Sequence, residues 1–156
     1  MSIFVTSDHH FGSWKNYPSW MQVLSEDQEN DAIKLWNSIV KNDDLVYYLG
    51  DFHDCNVLDM ANYRMKLNGD IILVKGNHDV LPDEMYKSFF KDVLDEAEID
   101  GISLRHVPVD DGKKQIYGHL HRGMSRDPFI IDNGFCVCAS FHKLMPLELR
   151  HVIEQI

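Results

Sequence analysis

The chain is short of cysteine, of basic charge and of long apolar runs, and each shortage removes a class of function. Three cysteines among 156 residues, Cys55, Cys136 and Cys138, form neither an even disulfide set nor a C-x-x-C pair with zinc-site spacing. Cys136 and Cys138 fall on one face of an extended segment, but with no second pair nearby, buried packing outweighs a soft metal site. This usage fits a reducing, cytoplasmic setting. No stretch approaches the roughly 20 apolar residues that a membrane-spanning helix requires, so no membrane partner is expected. Ile3-Phe4-Val5 is too short, and has no basic residues ahead of it, to read as an export signal.

Lysine and arginine total 15 against 25 aspartates and glutamates, a formal net charge of −10. Sequence-indifferent affinity for duplex DNA depends on cations that neutralise phosphates, so stable duplex binding is not expected. Divalent cations held by clustered acids would leave a site locally neutral or positive. A small phosphorylated substrate or a short nucleic acid therefore stays within reach. The length and an apolar content of 44% suit one core. One domain over 1–156 is expected, with no insertion long enough for a cap domain and with no repeat or linker.

Ile3-Phe4-Val5, Leu45-Val46-Tyr47-Tyr48-Leu49 and Ile71-Ile72-Leu73-Val74 are unbroken apolar runs rich in β-formers, as in strands buried on both faces. Ser25-Glu26-Asp27-Gln28 reads as a capping box opening a helix through Ile33, Trp36 and Val40. Further helices are expected over Val57–Leu67 and Pro82–Val93. Beyond Glu96, strands are expected over Glu98–Val107, Gln115–Tyr117 and Phe129–Phe141, in a second and more antiparallel sheet. Pro146 to Gln155, with Leu149, Val152, Ile153 and Ile156 on one stripe, closes the chain as an amphipathic helix.

A polar cluster follows each buried strand: Asp8-His9-His10, then Gly50-Asp51-Phe52-His53, then Gly76-Asn77-His78-Asp79. Ligands of open α/β sheets bind beyond the carboxyl ends of the strands, so these clusters should converge. His106 and Gly118-His119-Leu120-His121 follow later strands. Imidazole and carboxylate without thiolate suit manganese, iron or zinc better than all-oxygen magnesium and calcium sites. Nickel or cobalt would substitute in vitro. About seven candidates exceed the shell of one ion and imply two divalent metals sharing a carboxylate.

The ordered set Asp8-x-His10, Gly50-Asp51, Gly76-Asn77-His78-Asp79, His106 and Gly118-His119-Leu120-His121 resembles the calcineurin-like metallophosphoesterase superfamily. The resemblance implies an α/β fold, a four-layer αββα sandwich of two mixed sheets flanked by helices. It implies that Asp8, His10 and His121 hold one metal, that Asn77, His106 and His119 hold the other, and that Asp51 bridges them. It further implies that His78 contacts the scissile phosphate or protonates the leaving oxygen, with Asp79 orienting the imidazole, while a hydroxide between the metals attacks in line. Asn77, His78 and His53 are the expected substrate contacts. Arg105, before His106, departs from the small residue the family often carries there.

Single residues have plainer readings. Asp8 could cap a turn, Gly76-Asn77 could be a simple turn, and His142 and His151 are read as surface or core histidines. His9 and His53 are read as neighbours of ligands, facing substrate or supporting the site. Asp43-Asp44 and Asp110-Asp111 read as solvated loops. Trp14, Tyr17 and Trp20 are read as a loop packed on the core in preference to a base-stacking platform. Arg122 and Arg126 are read as exposed turn residues, with a phosphate contact as the alternative. The activity expected is metal-dependent hydrolysis of a phosphate mono- or diester. A nuclease of short or single-stranded nucleic acid is the alternative, and a non-catalytic scaffold the remote one.

Overall fold

A computed structural model describes residues 1–21, 23–121 and 132–156. Arg122, Arg126 and the first three residues expected in the strand from Phe129 lie outside the described residues. The elements run β1 (Ile3–Thr6), α1 (Ser13–Asn16), α2 (Glu26–Ile39), β2 (Leu45–Tyr48), α3 (Val57–Met65), β3 (Asp70–Val74), α4 (Asp83–Lys87) and β4 (Asp92–Leu94). They continue with β5 (Ala97–Ile99), β6 (Ile102–Arg105), β7 (Gln115–Tyr117), β8 (Gly134–Cys136), β9 (Leu147–Glu148) and α5 (Leu149–Ile153). This is an α/β fold of two mixed sheets with helices, one sheet ordered β4-β3-β2-β1-β9 and the other β5-β6-β7-β8.

The three apolar runs become the parallel centre of the first sheet, with Phe4 beside Val46 and Val46 beside Ile71. Alternate side chains separate two cores, as the pleat requires. Phe4, Val46, Tyr48, Ile71 and Leu73 meet Trp36 and Met60 of α2 and α3 on one face. Val5, Leu49 and Val74 meet Leu104, Ile116 and Val137 between the sheets, joined by Leu149 and Val152 of α5. The capping box opens α2, with Ser25 N donating to Gln28 Oε1 at 2.9 Å and Gln28 N to Ser25 Oγ at 3.3 Å. Trp36 is fully buried and its indole donates to Asn68 O at 3.0 Å. Cutting such a side chain to alanine costs about 3–5 kcal/mol.

Five sequence expectations need correction. The strand expected to reach Phe141 ends as β8 at Cys136, ahead of a helical turn over Ala139–Phe141. The helix expected from Pro146 opens only at Leu149, because Leu147 and Glu148 pair with β1 as β9. The helix expected over Pro82–Val93 stops at Lys87, because Lys91 N pairs with Ile71 O at 2.8 Å and draws Asp92–Leu94 into the sheet as β4. Pairing with a buried strand outweighs local helical pattern. The strand expected over Glu98–Val107 is a hairpin turning at Asp100-Gly101, both left-handed at φ 52° and 76°, the backbone of a tight two-residue turn. The second sheet is antiparallel only between β5 and β6, while β6, β7 and β8 run parallel. That direction brings the carboxyl ends of β6 and β7 to one edge, so His106 and His119 can meet.

Candidate metal centre and cleft

The candidate ligands sit on the turns that leave the strands, and those turns are strained. Among the described non-glycine residues, Asp8, His10, Asp51 and His119 have φ of 62°, 49°, 55° and 68°. Left-handed backbone costs such residues roughly 1–2 kcal/mol each and persists only where neighbours impose it. Here Asp8 N donates to Gly50 O at 3.0 Å, His10 N to Asp51 O at 3.1 Å and Phe11 N to Phe52 O at 2.9 Å. Glycine permits the close approach: a Cβ on Gly76 would run into the Asp51 carboxylate, and one on Gly118 into that of Asp8.

Two donor groups result. Asp8, His10, Asp51 and His121 form the first, and Asp51, His106 and His119 the second, with the ligand atoms of each within 4.8 Å of one another. Asn77 Oδ1 joins the second, 2.9 Å from His106 Nε2. Each carboxylate spends one oxygen on the scaffold. Asp8 Oδ2 accepts from His119 N at 2.9 Å and Asp51 Oδ1 from His78 N at 2.8 Å. The other oxygens face the imidazoles: Asp51 Oδ2 lies 3.4 Å from His10 Nε2 and 3.2 Å from His106 Nε2.

The set fits divalent cations on two grounds. Asp8 Oδ1 is buried with only the His121 imidazole beside it, Nε2 at 3.3 Å and not in hydrogen-bonding geometry, a costly state for a carboxylate oxygen that a cation between the two would relieve. The tautomers also agree. His106 Nδ1 lies 2.8 Å from Leu49 O and His10 Nδ1 lies 2.7 Å from Asp54 Oδ2. Both Nδ1 atoms must then carry hydrogen, which turns the Nε2 lone pairs inward as metal ligation requires. Burial works against charge on Asp51, but the His106 bond and nearby imidazoles win and hold its carboxyl down at about 2. His106 is conversely pushed up to about 9, since Asp51 and Asp8 outweigh its burial. A cation would have to displace that proton.

Comparison with known proteins accords with this geometry, for a family model described as calcineurin-like phosphoesterase matches residues 1–142. The chain belongs to the calcineurin-like phosphoesterase family. An uncharacterised protein of Methanocaldococcus jannaschii, MJ1445, is 35% identical over 81 residues, which are 49% of this chain and 46% of that protein. The chain thus matches about half the length of this relative. The crystal structure of AQ665 from Aquifex aeolicus, a protein of unknown function, superposes with a TM-score of 0.74 over 99% of both chains at 22% identity. That likeness concerns the fold.

In this calcineurin-like phosphoesterase, Asp79, expected beside the His78 imidazole, bonds backbone groups instead. The Asp79 carboxylate accepts from Asp51 N at 2.7 Å, Phe52 N at 3.0 Å and Gly76 N at 2.8 Å. It laces the loops after β2 and β3 together and does not reach His78. Burial raises its carboxyl to about 6 despite these bonds. Asp54 meets His78 instead, its Oδ1 2.6 Å from His78 Nδ1, while its Oδ2 takes His10 Nδ1. Sequence reading missed Asp54; the available signal was a second carboxylate on the loop that carries Asp51.

His53, expected as a substrate contact, is turned into the fold. It is buried, with Nε2 2.8 Å from Tyr86 Oη and Nδ1 2.9 Å from Cys55 O. His9 is fully buried, stacked on Phe11 and bonded to Tyr48 Oη at 2.8 Å; burial lowers its imidazole to about 4. Asp8 and Asn77 are not mere turn formers, since their side chains enter the donor groups. Arg105 points away from His106 and pairs with Glu96 and Asp111 at 2.6 and 3.2 Å, so Asp111 is not simply solvated. Cys138 Sγ lies 3.7 Å from His121 Nδ1, behind the ligand atom.

The donor groups open into a cleft of about 590 Å³ bordered by Asn77, His78, His119 and His121. Tyr17, Trp20, Met21, Val23 and Leu120 also line it. The aromatic group therefore divides: Trp14 packs inward, its indole 2.9 Å from Glu29 Oε2, whereas Trp20 is 81% exposed. Among the described residues no helix is long and apolar enough to cross a membrane.

Proposed function

We propose that the chain hydrolyses a phosphate mono- or diester with two divalent metal ions, one held by Asp8, His10 and His121, the other by Asn77, His106 and His119, with Asp51 shared. The observation that carries this reading is Asp51 Oδ2, 3.4 Å from the first imidazole group and 3.2 Å from the second. Manganese, iron or zinc best suits the donor set, and cobalt or nickel would substitute. Such ions, when bound, lower the pKa of water and supply positive charge beside phosphoryl oxygens.

The protein's own groups do the rest. His78 is 39% exposed at the side chain and borders the cleft. With Nδ1 fixed on Asp54, its Nε2 is free to hydrogen-bond a phosphoryl oxygen or hand a proton to the leaving alcohol. The Asn77 amide can donate to the phosphate while its oxygen stays at His106. Water is the nucleophile and no covalent phosphoenzyme is proposed. The test is turnover of aryl phosphate mono- and diesters by protein loaded with manganese, iron, zinc, cobalt or nickel, together with metal content. Hydrolysis with two ions per chain is expected. No turnover with any ion would overturn the phosphoesterase reading, and one ion per chain the dinuclear one.

A further inference from the structure

The cleft is larger than its chemistry requires. Pockets of about 300–1,000 Å³ accept drug-sized ligands, and 590 Å³ far exceeds what a phosphate group fills. The lining includes polar groups beside the donor residues and also the apolar side chains of Trp20, Met21, Val23 and Leu120. Trp20 and Met21 stand on a short helical turn, Ser19–Met21.

That turn is built to present its side chains. Tyr17 N donates to Ser13 O at 2.9 Å and Met21 N to Pro18 O at 2.8 Å. Val23 N donates to Ser13 Oγ at 3.3 Å, so Ser13 holds the segment at both ends. Asn16 Nδ2 donates to Asp54 O at 2.6 Å, which ties the base of the segment to the loop that positions His78. Between these anchors Trp20 stands 81% and Met21 48% exposed, facing the same space as Asn77, His78 and His119. A large indole left in water has no role in the fold, and an apolar face rimmed by polar groups marks a ligand site. An indole and a thioether offer a flat, polarisable surface suited to aromatic rings.

We infer that Trp20, backed by Tyr17, Met21, Val23 and Leu120, forms a specificity subsite that takes a flat aromatic group esterified to the scissile phosphate, such as a nucleobase-bearing or simple arylmethyl alcohol. This rests on the phosphoesterase reading and names its substrate class. The phosphate sits at the donor groups with His78, and the ring stacks on Trp20. An acidic surface disfavours long polyanions, so one or a few aromatic units are selected and a polymer is not.

The test holds the leaving group nearly constant. Adenosine 5′-monophosphate, benzyl phosphate and glycerol 3-phosphate all release primary alcohols and differ in the attached group; methyl diesters serve equally if diesters react faster. Metal-loaded protein should favour the two aromatic esters over the glycerol ester by roughly ten-fold in kcat/KM, the scale of one base–aromatic stack. Trp20→Ala should shrink that ratio towards one, Trp20→Phe should keep most of it, and Leu58→Ala, an exposed residue on α3 outside the cleft, should leave it alone. An advantage for the nucleotide alone would assign base edges a part, whereas equal gains would assign the ring face; both support the subsite. Equal turnover of all three esters, or a ratio indifferent to Trp20→Ala, would overturn it while leaving the phosphoesterase reading intact. Binding provides a readout without turnover: adenosine 5′-monophosphate should quench indole fluorescence where glycerol 3-phosphate does not, and Trp20→Phe should remove the quench. Quenching that survives Trp20→Phe would also overturn the subsite.

Discussion

The two sheets contribute to the centre in unlike ways. The first sheet's share, Asp8, His10, Asp51 and Asn77, stands on loops laced to one another by backbone bonds and by the three N–H groups that converge on Asp79. The second sheet's share, His106, His119 and His121, is anchored mainly across the gap. His106 Nδ1 bonds Leu49 O and His119 N donates to Asp8 Oδ2. One half supports itself, and the other takes its orientation from the first. Damage to the first half should therefore spread to the fold, whereas damage to the second should stay local.

The largest effect should come where the halves join. Asp51→Asn removes the charge that faces both imidazole groups while keeping a side chain that can still accept from His78 N. Loss of several kcal/mol of transition-state stabilisation, about 10⁴-fold in kcat/KM, is expected, with weaker metal retention measured by elemental analysis. A fall below ten-fold would show that Asp51 does not join the groups. Asp79→Ala tests the spread into the fold. It strands three backbone donors at about 1–3 kcal/mol each, and roughly 4 kcal/mol of stability should disappear in urea unfolding of the metal-free protein. A change below 1 kcal/mol would mean the first half is not self-supporting.

His9 sharpens the same contrast, because it belongs to the first sheet's core although it adjoins two ligands. Its folded value of about 4 lies below the ordinary 6.5. Above pH 6.5 both folded and unfolded forms are neutral and no penalty arises. As pH falls from 6.5 to 4 only the unfolded chain takes the proton, so stability drains by about 3 kcal/mol. Asp79 acts oppositely, since its folded value of about 6 exceeds the unfolded one and protonation there relieves burial as pH falls. The comparison of His9→Gln with wild type isolates the first term: the variant's relative stability should rise by about 3 kcal/mol between pH 7 and pH 4. A constant difference would place His9 in a more polar setting.

The same division explains what could be read from the sequence. Unbroken apolar runs such as Leu45–Leu49 announce strands buried on both faces, and the polar residues directly after them announce a site, because strand ends leave little freedom over where side chains go. The parallel direction of β6, β7 and β8 was illegible, since Gln115-Ile116-Tyr117 carries no mark of its partner's direction. β4 was hidden because Asp92-Val93-Leu94 continues a helical pattern until β3 claims it. The roles of Asp79, Asp54 and His53 depend on which way a side chain leaves a tight turn. One residue of shift reverses that direction, and the left-handed backbone at Asp51 decides it.

The smallest expected effect concerns Asp54, whose two imidazole partners, His10 and His78, both stand on loops of the first sheet. Its oxygens hold His10 Nδ1 at 2.7 Å and His78 Nδ1 at 2.6 Å, and these charged contacts hold its carboxyl below the usual range despite burial. Asp54→Asn preserves shape but leaves one acceptor for two imidazoles. Metal content should persist, because His10 keeps its place on the backbone through His10 N to Asp51 O at 3.1 Å. kcat should fall by about 10- to 100-fold, the usual cost of removing a partner behind a working histidine. Unaltered kcat would detach Asp54 from the work of His78, and loss of one metal would make it a support for His10 alone.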